Sequence, residues 1–150
     1  MNTDITRQME MVLYRTEDDN VTVSALIKDE TIWLTQKAMA ELFGVGVPAI
    51  SKHLANIYAE GELNEISTVS KMEIVQQEGS RSIKRNMDFY NLDAIISVGY
   101  RVNSRKATNF RIWATGILKE YMIKGFATVL TYLQCGLFIC KHKRKHHLHT

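Results

Sequence analysis

Ser51, Lys52 and Asn56, with Ala49 before them, fall at helical spacing directly after the glycine-rich break Gly44-Val45-Gly46-Val47. Arg81, Lys84 and Arg85 cluster further on, just past a Gly-Ser turn signal. The two sets suit two kinds of chemistry. Hydroxyl, ammonium and carboxamide groups on one side of a helix can hydrogen-bond the edges of bases in a duplex groove. Cations on a hairpin suit the flanking phosphates, whose neutralisation makes affinity depend on salt.

Other chemistries are weaker. Gly44-Val45-Gly46-Val47-Pro48-Ala49 has the glycine spacing of a dinucleotide-binding loop, but such a loop must follow a parallel strand and here it follows a helical pattern. Cys135, Cys140, His142 and His146 could be written as a zinc site, yet the first gap is wide and no structural frame surrounds it. His53 falls at the edge of a buried helical face, where a hydrogen-bonded histidine is commoner than a catalytic base. No serine or cysteine nucleophile has a recognisable base partner. The sequence therefore predicts no enzyme activity, no cofactor and no metal.

Positioning the polar set requires two helices held at a fixed angle. Thr35 can cap a helix over Gln36 to Phe43, whose Ala38, Met39, Leu42 and Phe43 make an apolar stripe. Gly44 can take the left-handed conformation that ends it, and Pro48 suits the first turn of a second helix reaching about Tyr58. Ala40 supplies the small residue where the helices meet, and Met39, Phe43, Val45 and Ile50 supply the apolar lock. His53 stands where an apolar residue is expected, and Leu54 takes over the packing. In such a helix-turn-helix the second helix enters the major groove.

Before this pair, Met11 to Arg15, Val21 to Ile27 and Thr31 to Leu34 read as an antiparallel meander. After it, Thr68 to Gln77 and Arg81 to Tyr90 read as a hairpin closed by Glu78-Gly79-Ser80. A short helix capped by Asn91 and ended by Gly99 follows, then a longer one from Ser104 to about Lys124, closed by Gly125. The expected fold is α+β: a winged helix-turn-helix with an N-terminal meander and additional C-terminal helices. Residues 1–126 form the domain, and 127–150 an atypical hydrophobic and basic tail, read as exposed or disordered.

Charge supports this order. Of 150 residues, 45% are hydrophobic and 23% charged, with a net charge of +3. Residues 1–80 hold six Lys and Arg against thirteen Asp and Glu, whereas 81–111 hold seven against two. Arg101, Arg105, Lys106 and Arg111 in that basic stretch are further candidates for phosphate contacts, although solvation of a helix start explains each singly. Attraction beyond about 8–10 Å is screened at cellular salt, so this local excess matters more than the total. Met1 to Glu10 has no apolar run, and the run from Ala127 to Cys140 is shorter than the roughly 20 residues of a membrane span. With both cysteines in the tail, a reducing cytoplasm is the expected setting, without membrane attachment.

The stretches Ile32-Trp33-Leu34-Thr35-Gln36, Glu41-Leu42-Phe43-Gly44, Ser51-Lys52-His53-Leu54, Asn56-Ile57 and Glu60-Gly61-Glu62-Leu63 resemble the RhuM family of bacterial virulence-associated proteins. The likeness continues through the block from Tyr90 to Ser104 and into Ala107-Thr108, Phe110-Arg111 and Trp113-Ala114-Thr115. It covers about Met11 to Phe126. The resemblance implies a DNA-binding protein from a pathogenicity island or other mobile element. Its loss after Phe126, where relatives continue into a charged helical region, suggests a C-terminal truncation or frameshift. Double-stranded DNA is then the expected partner, and a homodimer the form that specific recognition of paired half-sites would take. The alternative is a protein-interaction adaptor on the same scaffold without DNA, using the helix from Arg105 to Lys124.

Overall fold

The computed structural model describes residues 8–147, and the side chains of 8–126. Its order is β1 (Met9–Arg15), β2 (Asn20–Lys28), β3 (Thr31–Trp33), α1 (Gln36–Phe43), α2 (Val47–Ala59), α3 (Glu65–Thr68), β4 (Val69–Glu78), β5 (Arg81–Tyr90), α4 (Leu92–Arg101) and α5 (Arg105–His147). Among the described residues this is a mixed α+β fold of five helices and two small antiparallel sheets, β1-β2-β3 and β4-β5. Contacts divide the chain into two units, Met1–Arg111 and Ile112–Thr150.

Local chemistry accounts for most boundaries in the first unit. Thr16 and Asp19 exchange hydrogen bonds that close the acidic β1–β2 turn. Lys28 pairs with Thr31 around Asp29 (φ 54°) and Glu30 (φ 60°), the two left-handed residues of a type I′ turn. Thr35 Oγ1 accepts from the Ala38 amide at 3.1 Å and starts α1. Gly44, at φ 65°, ends it. Gly46 precedes α2 with Pro48 in its first turn, so the break between the two helices is only Gly44–Gly46.

The hairpin is joined to the meander. Leu34 and Tyr90 exchange backbone hydrogen bonds of 2.9 and 2.8 Å, and Leu26 of β2 packs with Met72, Ile74 and Phe89, flanked by Trp33 and Met87. A second packing centre joins the helices. Phe43 and Phe110 meet edge to face with centroids 5.1 Å apart, a favoured aromatic geometry. Ser104 donates to the Phe43 carbonyl at 2.5 Å while accepting from the Ala107 amide, so one hydroxyl ties the end of α1 to the start of α5.

Three expected boundaries differ. Asn64 caps the one-turn helix α3 ahead of the strand expected from Thr68. Gly99 does not end α4; it lies buried inside it, where an added Cβ would stand 2.5 Å from a Phe110 ring atom. Glycine is there because the ring approaches the backbone. Gly125 likewise lies within α5, since a helical glycine costs about 1 kcal/mol without forcing a stop. Over residues 112–147 the second unit is the remainder of this helix, and over 112–126 it exposes many large apolar side chains. The side chains of the expected tail, 127–150, lie outside those described.

Candidate functional site

Helix α2 is clamped on one side. Ile50, Leu54 and Ile57 recur at intervals of three and four residues and are buried, with α1 and α4 as the neighbouring helices. That periodicity sends Ser51, Lys52, Ala55 and Asn56 outward, and all four are exposed. Ala49 and His53 are half-buried at the margins. At the far end the Tyr58 hydroxyl lies 2.9 Å from Thr68 Oγ1. Thr68 gives its own proton to the Asn64 carbonyl at 2.8 Å, so Tyr58 is the donor. This bond ties the C-terminal turn of α2 to the foot of the hairpin. Burial pushes the Tyr58 hydroxyl above the usual tyrosine pKa, and Tyr90, bonded by Gln36, is raised for the same reason.

The hairpin register decides how its cations are displayed. Glu78 pairs with Arg81, Gln76 with Ile83, Ile74 with Arg85 and Met72 with Met87. Side chains alternate along a strand, so Arg81 and Arg85 continue the face that packs at Met72, Ile74 and Phe89. Lys84, opposite Val75, takes the other face, where Lys71 also stands but with Glu73 and Asp88 beside it. The three cations are therefore split between two faces. Gly79 at φ 63° makes the two-residue turn. Beyond Ile74 and Arg85 the strands run on to Glu78 and Arg81, about 13 Å at the usual rise, with only Gln76 and Ile83 half-buried.

Not every cation is available. Arg85 Nη2 lies 2.5 Å from Glu78 Oε1, with both side chains about half exposed. Lys52, Arg81 and Lys84 have no ion pair among the described residues. The additional candidates divide further. Arg101 bridges Glu60 and Glu62 at 2.6 Å each, joining α4 to the chain after α2. Its hydrogen bond and charge hold the Glu60 carboxyl below the usual range, and the two carboxylates push the Arg101 guanidinium upward. Arg111 donates to the Gly99 and Val102 carbonyls at 2.9 and 2.7 Å, occupying acceptors at the C-terminus of α4. Lys106 lays its stem over Gly44 and reaches the Glu41 carbonyl at 3.5 Å. Arg101, Lys106 and Arg111 thus hold elements of the first unit together, and Arg105 stays exposed.

Sequence alternation carried the signal for the face of Lys84, but Lys71 could be placed on that same face only through the register. The Glu78–Arg85 pair had no sequence signal, because the two residues stand on opposite strands four positions apart in register, with the Gln76–Ile83 pair between them. Among the described residues no cluster of three or more His, Cys, Asp or Glu could hold a metal, and no helix is long and apolar enough to cross a membrane. The zinc arrangement considered for Cys135, Cys140, His142 and His146 lies outside the described side chains.

Residues 67–136 match the family model of the Virulence protein RhuM family. The resemblance read from the sequence is thereby shown over residues 67–126, through β4, β5, α4 and the first part of α5; the match runs on to residue 136, past Phe126 where the likeness was expected to end, and does not take in the stretches quoted from Ile32 to Leu63. No curated protein and no solved structure matches the chain.

Proposed function

We propose that the chain is a DNA-binding protein of winged helix-turn-helix type. In this reading α1 and α2 are the helix-turn-helix, and β4–β5 is the wing. Ala49, Ser51, Lys52 and Asn56 meet base edges in the major groove, while Arg81, Lys84 and Arg85 meet the backbone. The observation that carries the reading is the outer side of α2: Ser51, Lys52 and Asn56 are exposed on a helix whose opposite side is locked by Ile50, Leu54 and Ile57. A rigid helix with a polar outer face and a short glycine-bounded lead-in meets the demands of groove entry. The biological role that goes with it is transcriptional regulation of a virulence or mobile-element locus, carried out in the cytoplasm by a binding protein rather than an enzyme.

Fluorescence anisotropy on duplex DNA over a salt series tests this. Neutralising Lys84 and Arg85 together should weaken binding to every sequence and flatten the salt dependence, whereas changes at Lys52 or Asn56 should alter sequence preference. Unchanged affinity in both sets rules the assignment out. The rival reading, an adaptor without DNA, draws on the apolar exposure of α5. Failure of the whole chain to bind heparin or any duplex, together with co-purification of a stoichiometric protein, selects it.

A further inference from the structure

Residues 112–126 expose a run of large apolar side chains. Ile112, Leu118, Met122, Ile123 and Phe126 are each between 54% and 67% exposed. At 100° per residue they fall within an arc of roughly 140°, the width of a stripe that normally faces a core. Ile117 and Tyr121, also exposed, point to the other side of the helix.

We infer that this stripe is a homodimer interface, with a second copy of the chain as its occupant. Size supports this. Five such side chains, each showing over half its surface, present on the order of 500 Å² per copy, or about 1,000 Å² for a pair, where specific interfaces begin. Shape identifies the occupant. Leu118, Met122 and Phe126 form one ridge at i, i+4 and i+8, and a two-fold axis through its middle sets the same patch of one copy against that of the other. With two helices antiparallel and the axis at Met122, Met122 meets its counterpart, and Leu118 meets Phe126 of the second copy in two symmetric contacts.

The assembly does not depend on the DNA-binding reading and is measured without DNA. Sedimentation equilibrium of the full chain at micromolar concentrations should give twice the chain mass. Met122→Glu should return the single-chain mass with unchanged circular dichroism, while Tyr121→Ser on the other side should leave the dimer intact. In a chain carrying Cys135→Ser and Cys140→Ser, Met122→Cys should oxidise to a disulfide-linked dimer, because the axis sets the two sulfurs together. A monomeric wild-type chain, or a dimer indifferent to Met122→Glu and not cross-linked through Met122→Cys, overturns the inference. A dimer that forms while DNA binding fails would leave the interface standing and remove only the proposed function.

Discussion

If β4–β5 is a wing, Glu78 holds part of its affinity in check, because it occupies Arg85 through a 2.5 Å ion pair at half-exposed positions. Each phosphate neutralised contributes about 0.9 to the slope of log affinity against log salt. Arg81 and Lys84 are unpaired among the described residues, so they set the wild-type contribution from the hairpin. Glu78→Gln releases Arg85 and should steepen the slope by about 0.9, while Lys84→Ala should flatten it by about 0.9. Between 50 and 200 mM salt, either change alters the loss of affinity by about 3.5-fold, in opposite directions. An exposed pair contributes only about 0–1 kcal/mol to folding, so Glu78→Gln should leave stability nearly unchanged. The assay is fluorescence anisotropy of a labelled duplex, repeated with an unrelated sequence, since a phosphate contact must act on both equally. Identical slopes for wild type, Glu78→Gln and Lys84→Ala would refute the wing, whatever α2 does.

Asn56→Ala should narrow the preference for one base pair by about 1–3 kcal/mol without changing the salt slope, as read from competition with single-base variants of a selected site. Gly99→Ala forces a Cβ to within 2.5 Å of Phe110 and 3.1 Å of Phe43. Overpacking of about 1–3 kcal/mol outweighs the roughly 1 kcal/mol gained in helix propensity, so the urea midpoint should fall; a rise would contradict the packing of α4 on α5. Glu30→Gly relieves a left-handed residue at φ 60° and should raise the urea midpoint, with a gain of about 0.5–1 kcal/mol. Glu60 titrates below its ordinary value beside Arg101, so the pair's contribution is present above that ordinary value and lost as pH falls through the folded one. Urea midpoints from neutral to acid pH should show that loss in wild type and less of it in Arg101→Gln. Tyr58 and Tyr90, raised by burial, contribute fully below the ordinary tyrosine value, and their contribution disappears as pH rises through the folded value; Tyr90→Phe should blunt the alkaline transition seen by circular dichroism.

Elements whose cause lies within a few residues were legible in the chain itself. The hydroxyl of Thr35, the left-handed Gly44 and the fixed φ of Pro48 act on their immediate neighbours, so the two helices and their short connection could be read to within about a residue. The same holds for the hairpin closed at Gly79-Ser80, and for the outer side of α2, which follows from helical periodicity. Tertiary contacts decided the rest. Gly99 carries the same local signal as a helix-ending glycine, and only the approach of Phe110 makes it an interior one. Arg101, Arg111 and Lys106 look alike as cations on paper, but distant carboxylates and carbonyls occupy them. The pairing register brought Glu78 to Arg85 and divided Arg81, Lys84 and Arg85 between two faces. Backbone conformation responds to adjacent chemistry, whereas the availability of a charge depends on which remote group the folded chain brings within hydrogen-bonding distance.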